Sequence, residues 1–302
     1  MTFGGQTDEA TAARIVDACL ERGINFFDTA NAYTGGASET ILGKVLGARR
    51  QNIVLASKVA NKVGDAPDQK GLSRAAITRG IEDSLRRLGT DYLDLYYLHL
   101  PDRDTPIEET LEAMSDLIKQ GKVRYAASSN YSAWQMAEMF AICEKNNWPP
   151  PFIAQPMYNL LARGIEQEYL EMTARYGISN VVYNPLAGGL LTGKQKRESP
   201  QPGSRFDSNK MYLDRYWHDE QFDAVERLQA ASEKDGRTLI STALNWLLHH
   251  TPIHCAILGA SRLEHLEQNL NTLADGPLSP DLLATVDQVW KRLRGSTPQY
   301  NR

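Results

Sequence analysis

Ile53-Val54-Leu55-Ala56-Ser57 runs straight into Lys58, and Tyr92 to Leu98 runs straight into His99. Four more apolar runs end in the same manner: Ile24-Asn25-Phe26-Phe27 at Asp28, Val123 to Ala127 at Ser128-Ser129-Asn130, Phe152-Ile153-Ala154 at Gln155, and Val181-Val182 at Tyr183. Short, continuous apolar runs are how strands of a parallel sheet read when both faces are covered. In a barrel of alternating strands and helices, reactive side chains gather where the strands end. These runs therefore predict both an architecture and the edge of it that carries function.

Between the runs lie apolar residues spaced three and four apart, the period of a helix with one buried face. Ile15/Cys19, Ile77/Ile81/Leu85/Leu88, Ile107/Leu111/Met114/Leu117, Met136/Phe140/Cys143 and Ile240/Ala243/Leu244/Leu247 are the clearest. A last run, Cys255-Ala256-Ile257-Leu258, precedes Gly259 and a helix carrying Leu263/Leu266/Leu270. Alternating strand and helix gives parallel βα units, so the expected fold class is α/β, a parallel (β/α)8 barrel of TIM type. Seven strand starts can be counted, and only Met1-Thr2-Phe3 remains for an eighth. The barrel is thus expected with its first strand largely missing at the N-terminus.

The chain has 302 residues. Barrels of this class run to about 200–400 residues as single domains, so one domain over 1–302 is expected. Residues 193–218 break the alternation, with Pro200, Pro202 and Gly203 followed by Tyr212, Tyr216 and Trp217. A loop of that length in a compact domain is either functional or disordered, and it reads as an irregular segment, a candidate lid over a cofactor. The net charge of −4, with basic residues scattered, carries no footprint for nucleic acid. Three cysteines without paired spacing fit a reducing, cytoplasmic setting. No apolar stretch approaches the roughly 20 residues of a membrane span.

Asp28 ends one run and Tyr33 follows five residues later; Lys58 and His99 end the next two. Taken singly, each has a bland explanation: a capping carboxylate, a rim aromatic, a solvated amine, a core imidazole. Together at one edge they form an acid, a cation, a phenol and an imidazole. A lysine cation held near a phenol lowers its pKa from the ordinary value of about 10, which suits proton donation near neutral pH. His249, His250 and His254 resemble a metal trio, but two are adjacent and no carboxylate is suitably spaced, so they read as solvated helix-end residues and no metal is expected.

On these residues the chain resembles the aldo-keto reductase family: Asp28, Tyr33, Lys58 and His99 match its catalytic tetrad. Further stretches agree in order: Gly23 to Ala30, Leu98-His99, Lys122 to Tyr125 leading to Ser129-Asn130, Gln155 to Leu160, Tyr183-Asn184-Pro185-Leu186, and Gly259-Ala260-Ser261-Arg262 to Asn269. The resemblance covers essentially the whole chain. It implies NADPH as cofactor, with Ser129, Asn130 and Gln155 at the carboxamide and Tyr183 stacked on the nicotinamide. It further implies Asn184, Leu186 and Gly188 in a loop beside the pyrophosphate, and Gly259, Ser261, Arg262, Gln268 and Asn269 at the adenosine end. His265 stands where an arginine is common in the family, and the usual leading hairpin is lacking.

The activity so implied is NADPH-dependent reduction of an aldehyde or ketone, with Tyr33 donating the proton and a small-molecule carbonyl compound as partner. Two other readings stay open: a cofactor-binding regulatory subunit with weak turnover, and a Schiff-base lyase using Lys58 as nucleophile. The carbonyl substrate and the oligomeric state are not legible from the residues.

Overall fold

A computed structural model describes residues 2–207 and 209–296. Seven strands occur among them: β1 (Phe26–Asp28), β2 (Val54–Val59), β3 (Leu93–Leu98), β4 (Val123–Ser129), β5 (Ile153–Gln155), β6 (Ser179–Val182) and β7 (Cys255–Ala256). The helices are α1 (Glu9–Glu21), α2 (Ala37–Leu46), α3 (Arg74–Leu88), α4 (Ile107–Lys119), α5 (Ala133–Asn146) and α6 (Tyr169–Tyr176). They continue with α7 (Lys210–Tyr216), α8 (Asp219–Lys234), α9 (Leu239–His250), α10 (Leu263–Asn271) and α11 (Pro280–Arg294). The strand pairs are parallel, and the fold class is the α/β barrel read from the sequence, with no full strand ahead of α1 among the described residues.

The chain divides into two compact units. The first comprises Met1–Pro156, Met172–Ser179 and Gly259–Leu266. In it β1 to β5 pair in sequence order, with Asp28 opposite Ala56, Lys58 opposite Tyr97, Leu98 opposite Ser128 and Ser129 opposite Gln155. Side chains alternate along a strand, so residues two apart share a face. Ala56, Leu95, Tyr97 and Ala127 pack in one buried layer with Phe26, Val54 and Ile153. One step further along the same faces come Asp28, Lys58, His99, Ser129 and Gln155. The apolar layer is thus the floor on which the polar residues stand.

The covering helices have local causes. Ser73 accepts a hydrogen bond from the Ala76 amide to start α3, whose Ile77, Ile81, Leu85 and Leu88 are buried, and Gly89 ends it in a left-handed turn. Ser132 and Gln135 form a capping box at the start of α5. A Cβ on Gly80 would lie 2.9 Å from both the Tyr96 hydroxyl and Val59, so glycine is what lets α3 approach β2 and β3. At the N-terminus, Thr2 and Thr7 donate from their hydroxyls to the carbonyls of Ala260 and Ser261, at 3.2 and 3.1 Å. The one strand-like pairing within residues 2–7 is an isolated Phe3–Thr7 bridge.

The second unit comprises Met157–Glu171, Asn180–Leu258 and Glu267–Arg302. Within it β6 pairs with β7, Val181 opposite Cys255 and Val182 opposite Ala256. Its core joins Val182, Phe206, Tyr212, Tyr216, Trp246 and Val286. The segment 193–218, read as irregular, contains α7, which Asn209 caps and which buries Tyr212 and Tyr216. Two of the three histidines also accept hydrogen bonds from backbone amides: the half-buried His250 through Nε2 from Leu278 at 2.9 Å, and the exposed His254 through Nδ1 from Asn180 at 3.1 Å. Both rings satisfy backbone donors distant in sequence, a use that the spacing of the three does not reveal.

Candidate active site

Lys58 is the pivot of the first unit's polar edge. Its side chain is 0% exposed and that of Asp28 is 6% exposed. Nζ donates to Asp28 Oδ1 and, at 2.8 Å, to the Thr29 carbonyl, and it hydrogen-bonds the Tyr33 phenol. Burial disfavours the ammonium charge, but attraction from Asp28 and Tyr33 outweighs it, and the lysine pKa is raised above its ordinary value. The amine is therefore held charged.

Tyr33 opens a short turn beyond β1, where Thr34 adopts φ 49° and donates from its hydroxyl to the Phe3 carbonyl at 2.7 Å. The turn returns the phenol over the lysine, whose Nζ is 5.1 Å from the ring centroid. His99 meets that ring edge-on, with centroids 5.8 Å apart. Burial and the Lys58 charge together push the His99 pKa down to about 3. The ring is thus neutral at neutral pH. Its Nδ1 lies 2.8 Å from Asn61 Nδ2.

Ser129, Asn130 and Gln155 stand at the same edge. Asn130, in the left-handed region at φ 63°, donates from Nδ2 to the His99 carbonyl at 2.8 Å and to Ser129 Oγ at 3.0 Å. The Ser129 hydroxyl donates to the Gln155 carbonyl at 2.9 Å, and Gln155 Nε2 donates to Asp28 Oδ2 at 2.9 Å. Seven residues expected at a site are therefore brought into one hydrogen-bonded group: the tetrad and these three. A nicotinamide carboxamide carries both donors and an acceptor. A side-chain set of one hydroxyl and two amides has matching chemistry.

Ser261 and Arg262 lead into α10 in the same unit. Ser261 Oγ is 3.5 Å from His265 Nδ1, and the exposed Arg262 makes no ion pair among the described residues. A cation at the start of a helix suits a phosphate, which the helix N-terminus also attracts. Gly259, three residues earlier, is exposed as well. Glu264 is in that helix's first turn, an acidic residue the motif reading passes over.

In the second unit Tyr183 follows β6 as a half-buried ring, paired with Met157 through a parallel bridge. The family resemblance puts Asn184 beside the cofactor, but both ends of its amide are engaged inside the protein. Nδ2 donates to the Tyr216 hydroxyl at 2.8 Å, and Oδ1 accepts from the Gly188 amide at 2.6 Å. The Gly189 and Leu191 amides both donate to the Leu186 carbonyl. The loop's amides at 188, 189 and 191 are thus spent on its own shape, and Gly188 also lacks room for a Cβ, which would be 2.7 Å from the Tyr212 ring. Asn269 is buried and Gln268 exposed on α10.

Asn61 is the site residue that the motifs leave out. Its signal is faint: a lone amide three residues beyond Lys58, after Val59-Ala60. No helix among the described residues is long and apolar enough to cross a membrane.

The family model described as "Aldo/keto reductase family" matches residues 1–291. The chain is similar to human aldo-keto reductase family 7 member A3, at 38% identity over 100% of this chain and 95% of that protein. It is equally similar, at 38% over 100% of this chain and 88% of the relative, to human aflatoxin B1 aldehyde reductase member 2. A probable voltage-gated potassium channel subunit beta from Arabidopsis thaliana is 36% identical over 96% of this chain and 90% of its own length.

Proposed function

The chain belongs to the aldo/keto reductase family of oxidoreductases, and from that premise we propose that it reduces an aldehyde or ketone to the alcohol using NADPH, with Tyr33 as proton donor. The observation that carries this reading is the buried Asp28–Lys58 pair beneath the Tyr33 phenol, with the His99 ring edge-on beside it. NADPH, when held by the residues proposed for it below, would supply a hydride for the carbonyl carbon. As charge grows on the carbonyl oxygen, the Tyr33 O–H gives up its proton to it, and the Lys58 ammonium stabilises the tyrosinate left behind. Asp28 holds that ammonium in place and compensates its burial. The neutral His99 ring donates a hydrogen bond that orients the carbonyl, since a group with so low a pKa does not act as a cationic acid at neutral pH.

Ser129, Asn130 and Gln155 are proposed to hold the carboxamide, and the Tyr183 ring to stack on the nicotinamide. Ser261 and Arg262 are assigned to the adenosine phosphate, with Gly259, Gln268 and Asn269 at the adenosine end. Leu186 and Gly188 would meet the cofactor through backbone surface, and Asn184 would shape their loop.

A Schiff-base role for Lys58 requires a neutral amine, which the pairing with Asp28 and Tyr33 opposes. A second reading, a cofactor-holding subunit with weak turnover, draws on the likeness to the plant protein named as a channel subunit. Steady-state assays with aldehydes, ketones and NADPH decide between them. We expect turnover, and a fall in kcat of about 10²–10⁴-fold in Tyr33→Phe with cofactor affinity little changed. A Tyr33→Phe variant with unaltered kcat removes the phenol from the reaction.

A further inference from the structure

We propose that Asn61 is a positioning residue that sets the tautomer of His99, keeping the proton of the neutral ring on Nε2 for the substrate oxygen. The proposal rests on the carbonyl-reduction reading for its purpose, but not for its structural content. Asn61 Nδ2 lies 2.8 Å from His99 Nδ1. An amide nitrogen of that kind can only donate, so Nδ1 must present its lone pair. A neutral imidazole carries one N–H, which then belongs to Nε2.

The surrounding backbone is built to make this contact. Ala60, just ahead of Asn61, is buried and adopts φ 143°, a conformation that alanine rarely takes. Such strain persists only where neighbours over-determine it. Here the Gly71 amide donates to the Ala60 carbonyl at 2.7 Å and holds the turn. On the other side, the His99 amide donates to the Val59 carbonyl at 2.8 Å, and Asn130 Nδ2 donates to the His99 carbonyl at 2.8 Å. The His99 backbone is thereby anchored from the ends of β2 and β4, and Asn61 addresses the one ring atom whose protonation would reverse the role of the other.

The chemistry of the amide is specific to the task. A carboxylate at position 61 would accept from Nδ1–H, move the proton to that nitrogen and draw a second proton onto the ring. Nε2 of the neutral ring would then be an acceptor facing a carbonyl oxygen, which is also an acceptor. An amide turned the other way, with its oxygen towards Nδ1, would have the same consequence for the neutral ring.

The test is nitrogen NMR of the full chain with ¹⁵N-labelled histidine at neutral pH, the His99 signals being assigned by their loss in His99→Gln. We expect an unprotonated Nδ1 and a protonated Nε2. A protonated Nδ1, or shifts averaged between the two tautomers, overturns the proposal. In Asn61→Asp we expect protonation of Nδ1, His99 titrating at higher pH than in the parent, and kcat lower by about tenfold to a hundredfold, as for other partners that orient a histidine. The dissociation constant for NADPH should change by less than about twofold. An Asn61→Asp spectrum and kcat equal to the parent's also overturn it. Asn61→Ala should lose the single tautomer while keeping the parent's circular dichroism. If both variants fail to fold, the parent spectrum alone decides. A parent with the expected tautomer that reduces no carbonyl compound leaves the tautomer assignment standing and removes the reductase reading instead.

Discussion

Gln155 Nε2 donates to Asp28 Oδ2 at 2.9 Å, joining residues 127 apart in the chain. The carboxylate is thus held from both sides, by Lys58 on one oxygen and Gln155 on the other. The residue proposed at the nicotinamide carboxamide is also the one that steadies the ion pair under Tyr33. Gln155→Leu removes that donor with little change in volume and leaves a buried carboxylate oxygen unmatched. A hydrogen bond to a charged group is worth about 1.5–3 kcal/mol, so kcat/KM should fall by about tenfold or more and thermal unfolding should come earlier. A Gln155→Leu variant whose kcat/KM and Tm match the parent would show that the bond carries no weight.

The buried titrating groups give the stability a shape against pH. His99 has its pKa pushed from about 6.5 in the unfolded chain down to about 3 in the fold. Between these values the unfolded state binds the extra proton, so stability falls as pH drops below about 6.5 and continues to fall towards 3. Allowing for the ring's partial exposure, the loss by pH 4.5 should be about 1–2 kcal/mol. Lys58 acts at the other end: its raised pKa contributes stability that is fully present below its ordinary value and is lost as pH rises through the folded value. Urea unfolding across pH, in parent and His99→Asn, checks the acid limb. The variant should lose less between pH 6.5 and 4.5, and identical slopes would contradict the assignment.

Arg262 is expected to tell the two nicotinamide cofactors apart. A guanidinium makes charge-assisted hydrogen bonds to a 2′-phosphate, which NADH lacks. Arg262→Ala should raise KM for NADPH by about tenfold or more, leave NADH nearly unchanged, and spare kcat. The neighbouring Glu264 works against any anion at that turn. Equal weakening of both cofactors, or a parent that prefers NADH, would assign Arg262 elsewhere.

Gly80 tests how closely α3 must lie on the strands that hold the site. Alanine is the better helix former by about 1 kcal/mol, which predicts stabilisation if the position is open. The added methyl would instead meet Val59 and the Tyr96 hydroxyl at 2.9 Å, and overpacking of a tight core costs about 1–3 kcal/mol. The contact should win, with Gly80→Ala about 1 kcal/mol less stable in denaturant unfolding. A variant as stable as the parent would mean that the helix can retreat freely.

Much of this protein is legible along the chain because the relevant signals are local. An apolar run that stops at Lys58 or His99 announces both a strand and the candidate site residue at its end. Apolar spacing of three and four, as in Ile77/Ile81/Leu85/Leu88, announces the helix that covers it. Period-2 alternation even places Lys58 on the face of Ala56, and His99 on that of Tyr97. The segment 193–218 carries no such signal, because a seven-residue helix has too few turns for its period to emerge. Burial of Tyr212 and Tyr216 there comes from partners such as Trp246, far along the chain.

What the tertiary structure alone decided is the pairing of polar atoms. Nothing near position 61 in sequence says that its amide reaches the His99 ring. Likewise, Asn184 carries a family-like motif yet commits its side chain to Tyr216 and Gly188. Residue types set which hydrogen bonds are possible, whereas strand register and turns such as the one at Ala60 set which donor meets which acceptor. Register arises from the packing of whole strands against one another, so the fold class and the four candidate residues at or just beyond strand ends were legible in the sequence, and the contact of Asn61 with the His99 ring and the clamp on Asp28 were not.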